Sequence, residues 1–218
     1  MATATPLTPA LTARRSKTRI GEANAGRILD TALPVFARYG FNGARVDRIA
    51  QAAGMSKANL LYYFRTKEAL YLAVLTRTLD MWLEPLRELD ASRDPAEALG
   101  HYIERKLEYS RFHPEASRLF AMEIMQGAPM LSRVLATDLA ALVERKVATI
   151  ERWVADGRLA PVDPHHLIFM IWATTQHYAD FAAQIRALTG KDLGDGRFFE
   201  STTRAVVGNI LRGVLPRA

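Results

Sequence analysis

Trp172 and Gln176 stand four residues apart, a spacing that puts an indole and a primary amide on one face of a helix. A glutamine offers one acceptor and two donors, enough to complement neighbouring N–H and C=O groups of a heterocycle while an indole packs on the ring face. Trp82 and Tyr109, on other segments, are the next candidates for the wall of such a site, and His177 is a further candidate that rotates onto a different face. An ordinary core or interface histidine is the competing reading of His177.

A second set of residues has the chemistry of nucleic-acid recognition. Lys57 can donate to guanine O6 and N7, Asn59 can pair with adenine N6 and N7, and Leu61 can touch a thymine methyl group. Arg45 and Arg48 precede them, Tyr62 and Tyr63 follow, and Lys67 begins the next segment. All five suit phosphate contacts, which position a protein on the duplex without reading sequence. Leu60 and Phe64, four apart, read as core. For any one member of this set, a solvated surface residue is the alternative.

Other chemistries find no footing. The chain has no cysteine, which removes disulfides, thiolate metal sites and a cysteine nucleophile. No GxSxG elbow, HExxH helix, phosphate loop or GxGxxG turn occurs, so catalysis is not expected. His165 and His166 lack a set of metal partners, and neither metal nor cofactor is expected. No apolar stretch approaches the ~20 residues of a membrane span and the start lacks a secretory core, so the reading is a cytoplasmic protein without a membrane partner.

These residues must be held by helices. Every strong periodic signal is helical, so the expected fold is all-α. A first helix is predicted over Glu22–Tyr39, with Ile28, Leu29, Ala32, Val35 and Phe36 on one face, a kink at Pro34 and Gly40 as terminator. Two short helices follow, Val46–Ala52 and Lys57–Tyr63, joined by Ala53-Gly54-Met55-Ser56; Gly54 supplies a left-handed turn and Ser56 a cap. That is helix-turn-helix anatomy. Further helices are predicted over Thr66–Leu83 with a loose continuation to Leu89, then Pro95–Phe112, Pro114–Gln126, Pro129–Ala155, Pro164–Leu188 and Arg197–Leu215, most of them opened by a proline.

Charge divides the chain in the same way. The net charge of +6 separates into +8 over residues 1–67 and −2 over residues 68–218. A basic head on a neutral body points to a polyanion as partner. The expected organisation is a disordered basic arm over 1–20, a helix-turn-helix DNA-binding domain over 21–66 and a ligand-binding and dimerisation domain over 67–218. One such head binds weakly, so a homodimer on an inverted-repeat operator is expected. Ile171, Tyr178, Phe181 and Ile185, with Val206, Ile210 and Val214, form stripes suited to a seam between subunits, or to burial within one.

Gly40-Phe41, Ile49-Ala50, Ala53-Gly54-Met55-Ser56, Leu60, Tyr63-Phe64 and Lys67-Glu68-x-Leu70 resemble the DNA-binding signature of the TetR family, departing from its usual residues at Ala44 and Leu61. The resemblance implies a TetR-like, all-α repressor with an N-terminal three-helix head, released from double-stranded operator DNA by a small-molecule effector. Asn59–Phe64, Trp82-Leu83-x-Pro85-Leu86, Gly127-Ala128-Pro129 and His166–Ala183 are similar to pyrimidine-responsive repressors of that family. This likeness implies uracil or thymine as effector and control of pyrimidine catabolism or related nitrogen metabolism. A regulator of the same type sensing another small ligand is the alternative.

Overall fold

The computed structural model describes residues 9–216, with side chains from Gly21 onward. These residues are helical, without a strand among them. The described residues up to Val74 form one compact unit and those from Leu75 onward another, whereas the sequence placed the boundary between 66 and 67. The reason is packing: Leu70, Tyr71 and Val74, on the first turns of the fourth helix, are buried, and the Tyr71 ring meets Phe36 edge-on at 4.9 Å and Phe41 at 5.1 Å.

In the head, α1 spans Pro9–Gly43. It begins well before the predicted Glu22, so the expected disordered arm is helical from Pro9 onward, and residues 1–8 of that arm lie outside the described residues. The predicted kink at Pro34 is corrected: helical φ and ψ persist through it, and the break falls at Gly40, where φ is 64° and ψ 177°. Pro34 is exposed, while Ile28, Ala32 and Phe36 hold the opposite face with no exposure. Fixing that face in the core keeps the backbone helical despite one missing N–H. Helices α2 (Val46–Ala52) and α3 (Lys57–Tyr63) match their predicted bounds. Between them Gly54 adopts φ 67°, and the Ser56 hydroxyl accepts from the Asn59 backbone N–H at 3.1 Å.

Helix α4 (Lys67–Arg87) runs unbroken through Pro85. Its C-terminal part belongs to the body unit, with α5 (Pro95–Phe112), α6 (Pro114–Met125), the single turn α7 (Ser132–Val134), α8 (Ala140–Ala155), α9 (Pro164–Asp180), α10 (Ala182–Thr189) and α11 (Gly196–Val214). Two predicted helices are interrupted. The stretch expected to be continuous from Pro129 to Ala155 contains a π-helical segment at Leu135–Leu139, and the one from Pro164 to Leu188 breaks at Phe181, where φ is −110° and ψ 28°. Neither carries a proline or glycine at the interruption, so no local residue type marks it.

The body core joins Leu86, Leu99, Ile103 and Leu107 to Ile150, Trp153, Ile168 and Ile171, each at most 1% exposed. Val206, Ile210 and Val214 pack into it, as does Ile171. The intersubunit stripe read from the sequence is therefore corrected for these four residues, which are buried within one chain. The apolar side chains left outward on α9 and its continuation are Phe169, Met170, Phe181 and Leu188, 41–78% exposed.

Candidate functional site

The head presents a charged surface around α2 and α3. Arg45, Arg48, Lys57 and Asn59 are exposed, and Tyr62 is 81% exposed, in keeping with side chains that reach outward. The Arg48 guanidinium lies 4.6 Å from the centroid of the Tyr39 ring, which steadies its plane without using its hydrogen-bond donors. Lys57 donates to Asp47 at 3.1 Å, an exposed ion pair that any guanine contact would have to displace. Leu61 is half-buried, and so are Tyr63 and Lys67. Tyr63 accepts from the Asn24 amide at 3.0 Å, and Lys67 donates to the Asn42 carbonyl at 3.3 Å above the Phe41 ring. The last two therefore also brace the head, with Tyr62 the more accessible of the tyrosine pair.

In the body, the sequence-selected residues fall into two neighbouring clusters on α5. The first is built on Trp172, half-buried, whose indole N–H donates to the Tyr102 hydroxyl at 2.6 Å. With its N–H used, this indole has only its π-face to offer. Gln176, one turn further along α9, is half-buried, and its amide makes no hydrogen bond to another described residue. Burial of Tyr102 pushes its hydroxyl pKa far above the ordinary range, so it stays a neutral partner to Trp172.

The second cluster is built on Trp82, 3% exposed, with Tyr109 edge-to-face against it at 6.1 Å between ring centroids. Tyr109 is itself buried, accepting from Arg105 at 3.0 Å and donating to Glu84. Trp82 Nε1 is the one enclosed side-chain nitrogen or oxygen among the described residues that lacks a hydrogen-bond partner. Over the same indole lies the ammonium of Lys106, 3.7 Å from the ring centroid and on a residue only 3% exposed. Burial pushes the Lys106 amine well below its usual range, and the Asp180 charge opposes this. Asp180 in turn is raised by burial, against the pull of the Ser117 hydroxyl that donates to it and of Lys106.

The two clusters adjoin. Lys106 is one turn along α5 from Tyr102, which holds Trp172, and Asp180, two turns along α9 from Trp172, is within electrostatic reach of Lys106. Ser110, one turn beyond Lys106, donates to the Thr175 carbonyl at 2.8 Å. Lys106 therefore lies on α5 between the residues that meet Trp172 and Thr175 of α9. His177 belongs elsewhere: it is exposed and stacks on Phe181 at 4.9 Å, which favours the interface reading over a ligand contact. His165 lies 3.4 Å from Glu144, and the His166 backbone N–H donates to Asp163. A separate open cleft of about 370 Å³, bordered by Leu83, Val134, Asp138 and Arg145, includes none of the sequence-selected ligand residues.

Lys106 and Tyr102 are the residues that sequence reading missed. The signal was available as a lysine in step with the apolar face Leu99, Tyr102, Ile103 and Tyr109 of α5, where a charge is out of pattern.

Comparison with known proteins agrees with this division of the chain. The family described as bacterial regulatory proteins, tetR family, matches residues 28–74, and the YcdC-like protein C-terminal region matches residues 75–217. The HTH-type transcriptional regulator RutR of Escherichia coli (strain K12) is 52% identical over 201 residues, covering 92% of this chain and 95% of that protein. The HTH-type transcriptional repressor SCO4008 of Streptomyces coelicolor is 37% identical over 106 residues, 48% of this chain and 52% of its own length. Among solved structures, the regulator SCO4942 from Streptomyces coelicolor superposes with a TM-score of 0.68 at 28% identity, over 88% of this chain and 98% of that one.

Proposed function

Because the chain belongs to the TetR family of bacterial regulatory proteins, and is a DNA-binding transcriptional regulator rather than an enzyme, we propose that it represses an operator and releases it when uracil or thymine enters the body. The observation that carries the ligand reading is the half-buried, unpartnered Gln176 amide one turn from the Trp172 indole. A pyrimidine ring presents adjacent N–H and C=O groups to the amide and a flat face to an indole. The likeness of His166–Ala183 to pyrimidine-responsive repressors supports the same ligand.

On the DNA side, the outward Lys57 and Asn59 read bases from the start of α3, while Arg45, Arg48 and Tyr62 contact phosphates. Two heads are needed for a tight complex, and the exposed Phe169, Met170, Phe181 and Leu188 supply an apolar face for a second copy. Half-sites then lie about one helical turn or more apart in an inverted repeat. Helix α4 begins at Lys67 and carries Trp82, so one continuous helix links the head sequence to the ligand cluster. A ligand shifts the operator equilibrium only by its preference for one of two conformations.

Calorimetric titration with uracil and thymine, followed by an operator shift assay with each base present, tests this reading. Binding with loss of the DNA complex is expected. Failure of both bases to bind, or binding that leaves the complex intact, overturns it.

A further inference from the structure

A buried ammonium needs acceptors. Lys106 is 3% exposed and makes no hydrogen bond or ion pair with another described residue; its amine lies over the face of Trp82, 3.7 Å from the ring centroid. A ring face attracts a cation but accepts none of its three N–H groups in the way an oxygen does, so the Trp82 contact leaves the lysine under-satisfied. The same indole carries the orphan Nε1 donor. An amine without an acceptor thus lies over an indole whose own enclosed N–H has none, on the α5 face that also meets Trp172, one turn from the free amide of Gln176 on α9.

We propose that Lys106 is a ligand-binding residue of this regulator, its amine donating to a ring carbonyl oxygen of the bound heterocycle. The inference rests on the pyrimidine reading above and deepens it by naming the group that fixes one end of the ring. Gln176 then reads the adjacent N–H and C=O edge, and Lys106 reads a carbonyl that the amide does not reach. A ligand with an exocyclic amine in that place presents donors to an ammonium and is discriminated against. The physical cost of holding a lysine here without a ligand is the usual mark of a binding group: a site built for function keeps a polar atom that the free protein does not satisfy.

The test combines Lys106→Met, which keeps an unbranched chain of similar length without the amine, with ligands that each lack one carbonyl. Wild type and variant are titrated calorimetrically with uracil, with 2-pyrimidinone, lacking O4, and with 4-pyrimidinone, lacking O2. Lys106→Met is expected to bind uracil about ten- to a hundredfold more weakly, as loss of a buried hydrogen bond that leaves a ligand carbonyl unpaired implies. Its melting temperature is expected to hold or rise, since a buried unpaired amine has been removed. One of the two pyrimidinones is expected to lose affinity against wild type but little against the variant, because ligand and protein have lost the same contact. Uracil binding to Lys106→Met at wild-type strength, or equal penalties for both pyrimidinones on both proteins, overturns the assignment while leaving the pyrimidine reading intact. Wild type that binds neither uracil nor thymine overturns both. If the methionine variant melts below the assay temperature, Lys106→Leu serves in the same titrations, and low stability of both variants assigns Lys106 a structural role and ends the proposal.

Discussion

The indole N–H of Trp172 is donated to the Tyr102 hydroxyl at 2.6 Å, which ties α9 to α5 at the point where the ligand face begins. Tyr102 is 1% exposed, so its hydroxyl has no water as a substitute partner. Tyr102→Phe is expected to lower stability by about 1–3 kcal/mol by orphaning the indole N–H, and Trp172→Phe in the Tyr102→Phe background is expected to cost less than it does alone. Urea unfolding of the four proteins measures the cycle. Strict additivity would show that the bond contributes nothing.

Gln176→Leu keeps most of the side-chain volume and removes the amide. It is expected to weaken uracil and thymine binding by about 1–3 kcal/mol for each ligand group left unpaired, with operator affinity in the absence of ligand unchanged. Calorimetry and an operator shift assay on the same preparation separate the two effects. A variant that responds to both bases like wild type would place the site away from α9.

In the head, the exposed pair of Lys57 and Asp47, whose side chains are 53% and 60% exposed, contributes under about 1 kcal/mol to folding. Asp47→Asn is expected to free Lys57, to strengthen binding to random DNA and to steepen the salt dependence, with a small change in melting temperature. Asn59→Ala is expected to relax base preference, and Lys67→Ala to weaken binding on all sequences while also destabilising the head, because Lys67 holds the Asn42 carbonyl. Competition titrations on operator and random duplexes at several salt concentrations distinguish these patterns. Equal losses on both duplexes for Asn59→Ala would remove it from base readout.

Stability should depend on pH through the two buried groups in opposite senses. Folded Lys106 is held well below its ordinary 10.5, so over that interval the unfolded chain binds more protons and stability rises with pH. Folded Asp180 is held above its ordinary 3.8, so the folded protein retains a proton that the unfolded chain has released, and stability falls as pH rises through that interval. Thermal melts on the alkaline side are expected to show a rise in wild type that Lys106→Met lacks, and on the acid side a fall that Asp180→Asn lacks. Parallel curves for wild type and Lys106→Met would show that Lys106 titrates as an ordinary surface lysine.

The sequence by itself determined the all-helical class, the basic head, the bounds of α2, α3 and α5, and the turn at Gly54, since each depends on residue types acting within a few positions of one another. It also singled out Trp172 and Gln176, because helical periodicity alone puts them on one face. Tertiary structure decided what periodicity leaves open: the π-helical segment at Leu135–Leu139 and the break at Phe181, neither marked by proline or glycine. It likewise drew Ile171, Val206, Ile210 and Val214 into the chain's own core, though their stripes suited a partner equally well. Lys106 shows the reason most plainly. Its place in the apolar stripe of α5 is out of pattern in the sequence, but whether a lysine there is buried depends on the groups around it, which set the cost of burying its charge. Those groups, Trp82 on α4 and Asp180 on α9, come to it only through the packing of helices far apart in the chain.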